Sequence, residues 1–156
     1  DGGWNCEAEN GSTRSSFHTT ICVLDGLLEY ERAGGGLELT EARRRGEEYL
    51  LSRHLFRRLS TGEVADPAFL ELSFPPQWHY DVLFGLDYFW AAGGTPDARL
   101  DEPVAVIRSK RRPDGWQLEN THPGAVHFRF EDDGEPSRWN TLRAARVLRW
   151  HDAAKG

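Results

Sequence analysis

Apolar side chains recur at three- and four-residue intervals in five stretches of this chain, and charged side chains fill the gaps in only some of them. In residues 16–33, Phe17, Ile21, Leu24 and Leu28 form one stripe, and Val23 and Leu27 widen it. A helix this apolar is covered on most sides. Ser15 or Ser16 can cap it, and Gly34-Gly35-Gly36 ends it. Residues 40–59 place Ala42, Tyr49, Leu50 and Phe56 inward and are otherwise charged. Thr40 is the expected cap there, with Glu41 in the first turn and Arg57 and Arg58 in the last.

A third helix is expected from Pro76 or Gln77 to Ala92. Trp78, Val82, Leu86 and Phe89 form its stripe, and Tyr80, Phe84, Tyr88 and Trp90 its flanks. A fourth spans 96–110, capped by Thr95 and kinked or divided at Pro103. A fifth spans 137–154. The alternation Val126-His127-Phe128-Arg129-Phe130 predicts a short strand-like segment. The first and third helices are apolar on most sides, so they read as inner. The second and fourth are amphipathic, so they read as outer.

The inner segments can be superposed on one another. Residues 20–27, 79–86 and 141–148 align, with Gly26 and Gly85 each standing before an Ala-Gly-Gly, at Ala33-Gly34-Gly35 and Ala92-Gly93-Gly94. Glycine inside a helix costs about 1 kcal/mol relative to alanine, so its recurrence predicts close helix approach. The spacing is that of a helical-hairpin repeat.

Asp1-Gly2-Gly3-Trp4 and Asp114-Gly115-Trp116 resemble the D-G-x-W turn of the terpenoid-cyclase and protein-prenyltransferase β-subunit superfamily. Residues 17–27, Phe-His-Thr-Thr-Ile-Cys-Val-Leu-Asp-Gly-Leu, are similar to the aromatic-His-Thr helix of prenyltransferase β subunits. The resemblance implies an all-α fold, an α/α toroid of inner and outer helices. Five helices would make about half a ring. The chain also has no methionine, so a single toroid-like domain over 1–156, the C-terminal half of a longer chain, is expected. The missing half-toroid or a partner subunit would complete it. The resemblance further implies a hydrophobic, isoprenoid-like ligand on the concave inner face, and a zinc ligand at His18. Two other functions stay open. One is a non-catalytic repeat scaffold. The other is a carbohydrate-active α/α barrel, whose carboxylate pair would be Asp81 and Glu9.

The candidate chemistry begins with Cys6, His18 and Cys22. His18 and Cys22 share a helix face, and Cys6 lies on the loop leading in. Thiolate and imidazole bind Zn²⁺, and three protein ligands leave an open catalytic position. The plain alternative is a buried Cys22 packed as a small hydrophobe and a hydrogen-bonded His18. His79 and Asp81 are candidate acid–base groups, or else a structural cap. Glu131-Asp132-Asp133 resembles the acid motif of squalene-type cyclases, with Phe130 in place of its first aspartate. Trp4, Phe17, Trp78, Tyr80 and Trp139 would line an apolar cavity, or else form core.

Composition narrows the partners. A net charge of −6 supplies no basic field for nucleic acid. The arginine runs at 43–45 and 108–112 read as solvated helix faces. No stretch is long and apolar enough for a membrane span, and no signal peptide is visible, so a cytoplasmic protein is expected.

Overall fold

Ser16 starts the first helix. Its backbone is extended, and its hydroxyl accepts from the Thr19 N–H at 3.1 Å. In the computed structural model, which describes all of residues 1–156, α1 then runs Phe17–Arg32. The other helices are α2 Thr40–Leu51, α3 Val82–Ala92, α4 Asp101–Ser109 and α5 Arg138–Ala153. Two residues each of β1 (Trp116–Gln117) and β2 (Pro136–Ser137) pair antiparallel, with Trp116 opposite Ser137. The fold is therefore helical with a minimal ribbon, rather than purely α. No helix is long and apolar enough to cross a membrane.

α3 packs against both α1 and α5, while α2 covers α1 and α4 covers α3 and α5. α1, α3 and α5 thus form one contiguous row, with α2 and α4 against it. Ile21, Leu24, Val82, Leu83, Leu86 and Val147 are fully buried in one continuous core.

Several boundaries move, each for a local reason. α2 ends at Leu51 rather than Leu59, because His54 and Leu55 take left-handed backbone at φ 45° and 63°. That turn buries Leu55 and Phe56, and the Leu55 N–H closes on the Leu50 carbonyl. Thr40 does not cap α2. Its N–H donates instead to the Glu38 carboxylate. α3 starts at Val82 because Gln77 sits at φ 48°, which no α-helix accommodates. Asp97 rather than Thr95 caps the short 3₁₀ turn Ala98–Leu100 before α4. Pro103 falls in the first turn of α4, where its missing N–H has no intrahelical partner to lose, so it does not kink the helix. Residues 126–130 form no strand. The pairing goes to Trp116–Gln117 instead.

The starts of α1, α3 and α5 correspond to one another in a register different from the alignment of residues 20–27, 79–86 and 141–148. Ser16, Asp81 and Ser137 are the three equivalent caps, which makes Thr20, Gly85 and Thr141 equivalent. Thr20 Oγ1 accepts from the Trp4 N–H at 3.0 Å, and Thr141 Oγ1 accepts from the Trp116 N–H at 3.0 Å. Each aspartate–tryptophan turn is thus pinned to the fourth residue of an inner helix. A side chain at Gly3 would lie 2.6 Å from the Thr20 hydroxyl, so the turn needs glycine to approach. Close approach also holds for Gly85, where a Cβ would meet the Tyr80 hydroxyl at 2.6 Å and Leu55 Cδ2 at 2.8 Å. It does not hold for Gly26, which faces open space.

Candidate functional site

The N-terminal ends of α1, α3 and α5 meet on one rim. His18, in the first turn of α1, faces the Trp78 ring at 5.9 Å and the His79 ring at 6.2 Å, just before α3. Phe74 stacks on Trp139 of α5, with centroids 4.9 Å apart and planes 10° apart.

A buried polar network holds this rim in place. The Asp81 carboxylate accepts from the Phe84 N–H at 2.8 Å, capping α3, and from the N–H and hydroxyl of Ser73. Asn140 Nδ2 donates to the Leu72 and Gln117 carbonyls. Arg143 Nη1 donates to the Ser73 carbonyl at 3.1 Å, and Arg143 and Arg146 both pair with Asp87. Burying these groups is costly unless they are satisfied, and here each has partners. Ser73 and Asn140 are so fixed, and their chain neighbours Phe74 and Trp139 are the stacked pair.

Beyond that stack the connector 121–131 closes a pocket of about 300 Å³. Phe74, Pro75, His122, Phe128, Phe130 and Glu131 line it. Phe130 meets Phe74 edge-on at 5.7 Å and packs on Phe128 at 4.8 Å. The apolar groups here are unusually open. Phe128 is 65% exposed, Trp78 57%, Phe130 46% and Trp139 40%. Fully burying one such aromatic side chain is worth roughly 1.5–3 kcal/mol, so the rim holds a large unused driving force for association. Two polar atoms of lining residues, Glu131 Oε2 and His122 Nδ1, are buried without a partner. The Glu131 side chain is only 8% exposed, and its other oxygen accepts from the Arg138 N–H at the start of α5.

The residues singled out from sequence divide sharply. Trp78, His79 and Trp139 lie on the rim. Phe17 and Tyr80 are core, and the Tyr80 hydroxyl donates to the Leu55 carbonyl at 2.7 Å, its pKa driven up by burial. Trp4 packs between α1 and α2. A side chain at Gly46 would strike its indole and come within 2.9 Å of Leu24. Asp81 is engaged in capping, which leaves His79 without it as a proton partner. Glu9 sits in an exposed turn, apart from Asp81, so no carboxylate pair forms.

The zinc set does not assemble. Cys6 and Cys22 are both exposed free thiols, and no three His, Cys, Asp or Glu side chains converge on a metal-sized site. Cys22 lies on the outward side of α1, not in the core. His18 is half-buried among aromatic rings rather than beside thiols.

Sequence reading missed Phe74 and the partnerless Glu131 oxygen, and noted His122 on the connector without a role. It placed Glu131 in the segment resembling the squalene-type cyclase acid, whose Asp132 and Asp133 are exposed. Comparison of the chain with protein-family models, with curated proteins and with solved structures finds no match.

Proposed function

We infer that this chain binds a hydrophobic small molecule at the aromatic rim formed by residues 74–78, 121–131 and Trp139. One observation carries the reading: Trp78, Phe128, Phe130 and Trp139 stay exposed around a pocket of about 300 Å³. That volume is at the low end for small-molecule pockets. The ligand surface is the rim, rather than the inner-helix faces, where Asp25, Glu29 and Asp87 make the surface polar. The Glu131 carboxylate is among the pocket's lining groups, which favours a ligand that carries a hydroxyl over a pure hydrocarbon.

The alternation of inner and outer helices, the shared rim and the two tryptophan turns support placing the chain in a segment of an α/α toroid of the terpenoid-cyclase and prenyltransferase kind. An isoprenoid alcohol is then the natural first probe. Titration with farnesol, followed by tryptophan fluorescence, should give saturable binding with a dissociation constant on the order of micromolar. Phe130→Ala with Trp139→Ala should weaken it about ten-fold or more, while the melting temperature changes little. The parent hydrocarbon should bind more weakly than the alcohol. No saturable binding, or binding that the double variant leaves unchanged, would remove the reading and favour a repeat scaffold instead.

A further inference from the structure

A second opening, of about 450 Å³, lies between the start of α1 and the turn that follows α2. Arg14, Ser15, Arg53, Arg57, Arg58 and Ser60 line it. We propose that this cleft binds a phosphate-type oxyanion.

The charge balance inside the cleft is the basis. Arg57 is neutralised, since it grips both oxygens of Glu102. The other three are not. Arg14 forms no side-chain hydrogen bond and no ion pair. Arg58 Nη2 donates only to the Ala65 carbonyl, at 2.9 Å. Arg53 has one carboxylate near it, Asp1 Oδ2 at 3.9 Å, and the other Asp1 oxygen is held by the Ser15 hydroxyl. Three guanidiniums therefore face one carboxylate, in a chain that carries a net charge of −6. Six arginines elsewhere, Arg43, Arg44, Arg99, Arg108, Arg143 and Arg146, do hold carboxylates.

Arg53 is also positioned rather than loose. It is only 13% exposed, its guanidinium lies 3.8 Å over the Tyr49 ring, and Nη1 donates to the Tyr49 carbonyl at 2.9 Å. A guanidinium held this way keeps free N–H groups in a fixed plane, which suits an oxyanion. The positive end of the α1 macrodipole lies at the same place, because Ser15 and Phe17 line the cleft. The opening has the dimensions of a small ligand and does not form the extended basic track that nucleic acid requires. None of its residues belongs to the aromatic pocket, so this site stands or falls apart from that one.

A phosphate group can arrive as a free phosphorylated metabolite or as a phospholipid headgroup, and two arms separate the sources. Calorimetric titration with inorganic phosphate at low salt should show binding at or below the millimolar range. Arg14→Ala and Arg58→Ala should each weaken it about ten-fold, and neither change breaks a contact to a carboxylate. Flotation with phosphatidic-acid vesicles, against phosphatidylcholine vesicles, tests the headgroup source with the same variants. Binding in either arm that both variants weaken, with circular dichroism melting unchanged and with phosphate binding intact in Phe130→Ala, supports the site and names its source. Absence of binding in both arms overturns it, and so does binding indifferent to Arg14 and Arg58.

Discussion

The starts of α1 and α5 are built one way and the start of α3 another, although all three occupy equivalent places in the repeat. α1 and α5 each have a serine cap and a threonine four residues later that accepts from a tryptophan N–H. α3 has Asp81 as its cap and Gly85 where the threonine would be. No tryptophan turn docks there. The Tyr80 hydroxyl and Leu55 fill the space over Gly85 instead, and Asp81 holds Ser73 in the incoming connector. The lesson is that the repeat specifies a junction, an entering chain tied to the first turn of an inner helix. The tie itself is exchangeable. At α3 the exchange presents Phe74 and Trp78 outward, which is why the aromatic rim forms there.

The two tryptophan turns also differ in depth, and truncation separates them most strongly. Trp116 is buried, and its indole N–H donates to the Ile107 carbonyl at 2.7 Å, tying α4 to α5. Trp4 is half-buried and its indole has no such partner. Trp116→Ala should cost about 3–5 kcal/mol. Trp4→Ala should cost less, about 2 kcal/mol, from lost apolar burial alone. Urea midpoints of the two variants test this, and equal losses would mean that the indole bond and the deeper burial contribute nothing.

Removing caps contrasts α3 with α1. Ser16→Ala loses one capping bond, about 1 kcal/mol. Asp81→Ala loses the cap and leaves a buried Ser73 N–H and hydroxyl without acceptors, for about 3 kcal/mol together. The Asp81 variant should also release the connector at Phe74, seen as faster amide exchange at residues 72–74, which Ser16→Ala should leave untouched.

The smallest effect is one of pH at the junction of α1 with the rim. Burial, and then the nearby His79, hold the His18 imidazole below its ordinary value, against an opposing pull from Asp66. The folded chain thus takes up this proton less readily than the unfolded chain. The stability it contributes is present above about pH 6.5 and is lost as pH falls through the lowered folded value. Denaturation midpoints should drop between about pH 7.5 and about pH 5 more in the native chain than in His18→Gln. Equal drops would assign the change to other groups.

Much of this was legible in local chemistry. The stripes over 17–28 and 82–89, and the charged faces of the intervening helices, sort inner from outer because burial follows the 3.6-residue period. Ser16 and Ser137 announce helix starts because a short hydroxyl beside an extended backbone satisfies the orphan N–H groups. The aspartate–tryptophan turns were visible as a repeat, since their glycines are needed for a backbone approach that any side chain would block. Other features were not legible. The left-handed residues His54, Leu55 and Gln77 end or delay helices although none is glycine, because tertiary burial of Leu55, Phe56 and Tyr80 outweighs their local preference.

The sequence by itself determined the helices that carry periodic stripes and the two aspartate–tryptophan turns, because each depends on residues close together in the chain or on a repeated motif. Only the tertiary structure decided where function can reside. The aromatic rim joins residues 74–78, 121–131 and 139, and the arginine cleft joins residues 14–15 with 53–60. Neither grouping has a period or a spacing to read. A run of arginines along the chain looks the same whether its carboxylates are near or absent, and an aromatic stripe looks the same whether it is packed or open. That distinction depends on which neighbours the fold brings within a few ångströms, and packing alone settles it.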